Sequence, residues 1–349
     1  MQTSSKHLVT RALRGEEVLR VPTGPLAVHF CAKVAGVSMR EYTSNPRVLA
    51  DSVIRYYERF RPDAVWLSAD TWVNAQAMGA RVGPLDDHQP WGGLGPPLVQ
   101  CARDIDRLPP PDVGAQGRYP LMLEALTRIV AALGTEVFVV ACFDQYPFSL
   151  AAQLMGINEI MLQLTDDPPM VEALMHRCVE YGLAYGRALS DAGADMLSGG
   201  DSPAGLIGPR LYREMALPFE QRLTTELKAA TRKPVSLHIC GNALPILPDM
   251  ATSGADVLEI DHKTDLPRAC EIVGPDIALW GNLDPVGVLA QGTVAQVEQA
   301  TGAALDAVAA CGHRRFVLSS GCTLAVETPF ENVEAMLRVA RTSALPFPQ

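Results

Sequence analysis

The chain has 349 residues, 48% hydrophobic and 19% charged, with a formal net charge of −10 and a pI near 5.2. That length and apolar content are enough to bury a large core and exclude a disordered chain. The acidic balance, with no basic run anywhere, argues against a nucleic-acid partner or an anionic membrane surface.

The first residues, Met1 to Lys6, lead into a mixed amphipathic segment rather than a signal-peptide apolar core. No stretch approaches the roughly 18 apolar residues that span a bilayer, so a cytoplasmic protein is expected. Eight scattered cysteines do not resemble a secreted disulfide framework, and most are expected to be buried thiols.

Residues 3–20 read as a helix followed by a charged turn, and Pro25 to Cys31 as a first strand. Pro46, at a favoured early helical position, opens a helix over 45–60, and Ala64 to Ser68 is an apolar strand ending at Asp70. Residues 83–118, rich in Gly, Pro and Asp, read as an excursion, because the strand–helix rhythm resumes at 119–133 and at the β-branched run 136–141. Asp166-Asp167-Pro168-Pro169 starts a long helix that carries Cys178 on its core face.

Further strands are expected near 195, 235, 256, 277 and 316. Helices near 209–230, 293–312 and 331–344 lie between or after them, with Thr293 and Gln296 spaced as a capping box. Strands near 26, 64, 136, 195, 235, 256, 277 and 316 make eight, mostly continuous apolar runs, as strands buried on both faces are. Such alternation predicts a single α/β domain over 1–349, a (β/α)8 TIM barrel with an N-terminal helical extension and an excursion after the second strand. An open doubly wound sheet would need a glycine-rich dinucleotide turn after its first strand, and none is present.

In such barrels the active site lies at the carboxyl ends of the strands. Polar residues collect there: Asp70, Asp144, Asp201, His238, Cys240, Asp261, Asn282 and Cys322. Within Val235-Ser236-Leu237-His238-Ile239-Cys240, alternation puts His238 and Cys240 on one side of a strand. Cys322 follows the last strand. Three nitrogen and sulfur ligands with an open fourth position make the pattern of catalytic zinc. A His-x-Cys pair alone is a weak signal, and its bland reading is a buried histidine beside a buried thiol.

Asp261 offers a fourth, displaceable ligand or else a hydrogen bond to the barrel rim; both readings stay open. Glu259 and His262 are weaker ligand candidates, and His88 and His313 read as solvated. Zinc with an open position lowers the pKa of a bound thiol or polarises a leaving ether oxygen, and both roles belong to alkyl transfer. No Gly-x-Ser-x-Gly elbow, His-Glu-x-x-His helix or phosphate-binding Gly-Lys-Ser/Thr loop competes.

Several segments carry a family resemblance: Tyr146 to Ala151 with Met155-Gly156, Asp191 to Asp195, and Gly254 to Val257 with Asp261 and Lys263 to Leu266. The most specific are Gly281 to Pro285 and Gly321-Cys322 followed by Thr328 to Val333. Together they resemble the uroporphyrinogen decarboxylase superfamily over nearly the whole chain, and most of all its corrinoid-dependent methyltransferase branch.

That resemblance implies a (β/α)8 barrel with zinc on His238, Cys240 and Cys322, and an acidic ligand that falls at Asp261. It also implies methyl transfer between a small substrate and the cobalamin of a separate corrinoid protein. The substrate would be a methoxylated aromatic or other methyl donor, or a thiol such as coenzyme M. The chain itself lacks the Asp-x-His-x-x-Gly sequence of cobalamin-binding domains.

The decarboxylases' arginine-rich motif has no counterpart in 30–42, where the cations are Lys33 and Arg40. Asp70 does resemble their central aspartate. Asp70, Asp144, Gln145, Asp201 and Asn282 are the expected substrate contacts, and Trp91, Phe143, Tyr146 and Phe148 either line an aromatic-sized cavity or simply pack. Two alternatives stand beside corrinoid-linked transfer: a zinc alkyltransferase to a thiol without corrinoid, and a uroporphyrinogen-type decarboxylase. A metal-free scaffold barrel is a third.

Overall fold

In the computed structural model, which describes residues 4–83, 90–92 and 94–343, the apolar runs form parallel strands laid side by side in chain order. They are β1 (Ala64–Leu67), β2 (Phe138–Gln145), β3 (Met196–Gly200), β4 (Val235–Ile239), β5 (Val257–Ile260), β6 (Ala278–Leu283) and β7 (Phe316–Ser320). Nearly all their residues are buried, because helices cover the outer face and side chains fill the inner one. The helices Pro46–Phe60, Tyr119–Leu133, Pro168–Asp191, Leu217–Thr231, Leu266–Val273, Val294–Ala310 and Phe330–Thr342 alternate with the strands. This is a TIM-barrel-like α/β fold.

Local chemistry sets the helix starts. Asn45 accepts from the N–H groups of Arg47 and Val48 ahead of Pro46, and Asp167 accepts from Met170 ahead of Pro168. Thr293 and Gln296 form the expected capping box.

The expected first strand differs. Among the described residues the sheet has seven strands, and residues 25–31 lie outside it, leading into a short helix, Phe30–Ala35. A shorter piece closes the gap between β7 and β1. Gly24 N–H donates to the Leu318 carbonyl and Leu318 N–H to the Pro22 carbonyl, while the amides of Asp63 and Ala64 donate to the Thr23 carbonyl. Proline lacks an N–H, so Pro22 and Pro25 bracket this ladder and stop it from lengthening. An apolar run of seven residues does not by itself separate strand from helix.

The N-terminal helix is Ser5–Leu13, and a turn at Arg14 and Gly15 follows it within the expected helix and charged turn of 3–20. The helix closes the end of the barrel at which the strands begin. Val9 is fully buried there among Ala64, Trp66, Phe138, Val140, Met196, Val257, Ala278, Trp280 and Val317. Lys6 Nζ pairs with Asp195 at 2.8 Å. Trp66 and Trp280 meet edge to face and both donate their indole N–H to the Gly24 carbonyl, at 3.3 and 2.8 Å. A Cβ at position 24 would lie 2.3 Å from the Trp280 ring, so only glycine fits.

Cys31, Cys178 and Cys270 are buried as expected, but Cys101, Cys240 and Cys311 are exposed. Among the described residues no helix is long and apolar enough to cross a membrane.

Candidate metal centre

The ligand atoms of His238, Cys240 and Cys322 lie within 4.8 Å of one another at the carboxyl ends of β4 and β7. They are the one such His/Cys/Asp/Glu group among the described residues. His238 is the penultimate residue of β4, and Cys240 follows the strand on the same side. Gly241 then turns the chain with φ of 88°, a conformation that glycine adopts without cost. Cys322 arrives from β7 through Gly321, whose absent Cβ would lie 2.4 Å from the His262 amide nitrogen. Close backbone approach there brings the distant cysteine into range.

The donor set fits zinc. His238 Nδ1 stands 3.1 Å from the Glu259 carbonyl, which can only accept, so Nδ1 carries the proton and Nε2 is left for a metal. Cys240 Sγ is 3.1 Å from that Nε2 and 3.8 Å from Cys322 Sγ. Two thiolates on one tetrahedral zinc, each at about 2.3 Å, stand roughly 3.8 Å apart.

The three groups already perturb one another. The hydrogen bond shared with Cys322 draws the Cys240 thiol down to about 7, and the same contact pushes Cys322 up to about 12. Burial works against protonating His238, but the Cys322 contact and nearby negative charge lift it to about 9.

Asp261 stands outside the group. Its Oδ2 accepts the Gly241 N–H and its Oδ1 the Lys263 N–H, both at 2.9 Å, so the carboxylate pins the turn after β4 to the turn after β5. This is the rim bond foreseen as its alternative role. Asn282 is likewise tied to backbone, donating to the Thr264 carbonyl at 2.9 Å. Glu259 sits beneath the site, its carboxylate accepting from Ser198 at 2.7 Å and from Ser236, with its Oε2 3.9 Å from His238 Nδ1. His262 lies between Asp261 and Asp284.

A cavity of about 840 Å³ opens beside the three ligands. Asp70, Asp144 and Gln145 line it as expected, whereas Asp201 and Asn282 do not. Asp201 is fully buried and accepts the Ser149 N–H at 2.7 Å. Asp70 is held by Arg118 through both oxygens, one contact being 2.9 Å, and accepts the Trp72 N–H at 2.8 Å.

Arg118, at the end of the excursion, was invisible in the sequence, because nothing local links it to a residue 48 positions away. The aromatic wall also differs from expectation. Phe143, Tyr146 and Phe148 are buried in the surrounding core and Trp91 is 56% exposed, while Trp66 and Trp72 face the cavity. His29, another lining residue, donates its Nε2–H to the Ala69 carbonyl, 2.8 Å away. His313, expected in solvent, is 5% exposed, and His88 lies outside the described residues.

The model for the uroporphyrinogen decarboxylase (URO-D) family matches residues 4–343. The chain belongs to that family. Within the URO-D family, the methylcobamide:CoM methyltransferase MtbA of Methanosarcina acetivorans is 32% identical over 246 residues, 70% of this chain and 69% of that protein. A uroporphyrinogen decarboxylase of Trichodesmium erythraeum is 27% identical over 311 residues, 87% of this chain and 84% of the other. Among solved structures, a methyltransferase from Methanosarcina mazei superposes with a TM-score of 0.88 at 27% identity, covering 97% of this chain and 99% of that one. The resemblance to the methyltransferase branch of the URO-D family is borne out by these likenesses.

Proposed function

We propose that this protein is a zinc-dependent methyltransferase that moves a methyl group from a small methylated donor, such as a methoxylated aromatic, to the cobalamin of a separate corrinoid protein. The observation that carries the reading is the convergence of His238, Cys240 and Cys322 at the mouth of a barrel cavity. Zinc held by these three would supply a Lewis acid with an open coordination position for an ether oxygen or a thiol. Likeness to the methylcobamide:CoM methyltransferase of M. acetivorans supports a cobalamin partner and transfer of this class.

The chain's own residues prepare that chemistry. The Glu259 carbonyl fixes the His238 ring with Nε2 facing the ligand site. Cys240 and Cys322 share one hydrogen bond, and a bound cation would draw both to the thiolate, the form that ligates. Trp66 and Trp72 supply apolar surface to the cavity wall, suited to an arene. Asp261 stays in reserve as a carboxylate whose two backbone bonds would have to be exchanged before it could ligate.

A thiol acceptor such as coenzyme M, with transfer in the opposite direction, would use the same ligands. The cavity is far roomier than so small a thiol needs, which favours the larger donor. The decarboxylase reading has its own support in the T. erythraeum relative and in Asp70. Against it, Arg81 is the one Arg or Lys among the described residues lining the cavity, too little for a substrate bearing eight carboxylates. A corrinoid-independent alkyltransferase is separated by assays with and without methyl-accepting cobalamin.

The deciding measurement is zinc by elemental analysis, under reducing conditions, on the native chain, Cys322→Ser and His238→Ala. About one zinc per chain is expected in the native protein and a large loss in both variants, with the fold retained by circular dichroism. Native protein that takes up no zinc would sink the proposal.

A further inference from the structure

Asp144 is a cavity-wall carboxylate that the metal centre does not use. Among the described residues no Arg, Lys or His pairs with it, unlike Asp70, and no serines satisfy it, unlike Glu259. It is 3% exposed. Its Oδ2 accepts the Asn74 N–H at 2.8 Å, but among the described residues its Oδ1 has only the Gln145 amide, stretched to 3.4 Å. The first of these partners is rigid, since Tyr119 donates to Asn74 Oδ1 at 2.9 Å and Asn74 Nδ2 to the Phe143 carbonyl at 2.8 Å.

The backbone is bent to place this side chain. Asp144 has φ of 81°, costly for a residue with a Cβ, and the β2–β3 register breaks between Cys142 and Gln145. Next door stands Gly200, with no side chain to fill the space. Gln145 pairs with Gly200, and Gly200 with His238. Asp144, next to Gln145, therefore stands about two strand spacings, roughly 10 Å between backbones, from the strand that carries His238. That gap suits one arene with a substituent at each end.

We propose that Asp144 is the second anchor of the substrate, accepting a hydrogen bond from a hydroxyl or protonated amine at the end of an arene-sized methyl donor remote from the methylated atom. The assignment rests on the methyl-transfer reading of the metal centre. A buried carboxylate oxygen without a good donor is costly, and a substrate that brings the donor recovers that cost on binding.

Burial pushes Asp144 up to about 7, opposed by the Asn74 amide and reinforced by Asp70, so its acceptor strength changes across neutral pH. Among the described residues the other groups facing it are Arg118, whose charge opposes the rise, and Cys142, Tyr119 and Tyr185, which burial keeps neutral there.

The test is calorimetric titration of the full-length zinc protein and Asp144→Asn with 4-methoxyphenol, 4-methoxybenzylamine and 4-methoxybenzoate near pH 8. Asparagine tolerates the left-handed backbone, so the turn is retained. Its Oδ1 takes the Asn74 N–H, which turns its amide N–H groups toward the cavity and replaces an acceptor with a donor. Wild type should prefer the phenol and the amine over the benzoate by roughly tenfold or more. In Asp144→Asn that order should reverse, and the ratio of phenol to amine separates a neutral donor from a cationic one.

Near pH 6, wild-type affinity for the phenol should fall, while that of the variant stays level. The same order of preference in both proteins, or no binding of any probe to wild type, overturns the proposal. Zinc measured on the same samples should be equal in the two proteins. A wild type without zinc faults the methyl-transfer reading instead, so the two failures are distinguishable.

Discussion

The two ends of the barrel are built from the same strands and differ completely. Toward the strand beginnings the inward side chains are Ala64, Trp66, Phe138, Val140, Met196, Val257, Ala278, Trp280 and Val317, sealed by Val9 of the first helix. Two residues further along those strands the inward set becomes Ser68, Cys142, Ser198 and Glu259, and beyond them come Asp70, Asp144 and His238. Because the side-chain period of a strand is two, apolar and polar layers stack without any change of fold. One end is therefore specialised for packing and the other for chemistry. The lesson is that stability and function should be separable by mutation.

The largest expected effect on stability lies at the closed end. Trp280 is 1% exposed, packs on Trp66 and anchors the Gly24 segment that bridges β7 to β1. Trp280→Ala should cost about 3–5 kcal/mol in urea unfolding, from lost transfer energy plus the cavity left behind. The zinc variants at the open end should leave the unfolding midpoint of the zinc-free protein nearly unchanged. A Trp280→Ala protein that unfolds like wild type would break the division.

A smaller effect sharpens the comparison at the open end's outer wall. Asp201 and Glu220 are both fully buried, and Tyr212 donates to Glu220 at 2.5 Å. Burial pushes Asp201 up to about 6 and raises Glu220 well above the usual carboxylate range. Folded-state values raised above the unfolded ones favour the native state at low pH, and that advantage fades as pH climbs through the folded values. The pair's contribution to stability should thus fall as pH rises from about 4 through about 6, where Asp201 ionises, and beyond it as Glu220 follows. Glu220→Gln keeps a neutral partner for Tyr212 and should flatten that fall in thermal melts compared near pH 5 and pH 8. Parallel curves for the two proteins would show that this pair does not set the pH response.

The same layering explains what was legible in the sequence. The strands from β1 to β7 announce themselves as continuous apolar runs, and His238 with Cys240 follows from alternation on one strand. Cys322 needs only the rule that strand carboxyl ends meet. The failures share a cause. Asp201 and Asn282 lie at strand ends like Asp144, but backbone amides and carbonyls claim them, and sequence does not show which way a loop presents its amides. Arg118, Trp72 and His29 reach the cavity from loops whose paths are set by tertiary packing. The expected first strand failed because Gly24 is required by a tryptophan 256 positions away, and the two prolines leave room for a ladder of only a few bonds.

The smallest prediction tests what holds the closed end shut. Lys6 pairs with Asp195 at 2.8 Å and also donates to the Gly134 carbonyl at 2.8 Å, which invites the idea of an ionic latch. Its side chain, however, is 35% exposed, so water and salt screen the pair. Val9, at 0% exposure, contributes instead through burial. Lys6→Met should therefore cost less than about 1 kcal/mol, and less still in high salt. Val9→Ala should cost about 1–3 kcal/mol at any ionic strength. Were the order of these two variants inverted at low salt, the closed end would be held by charge rather than packing, and the contrast between a packed end and a polar end would lose its physical basis.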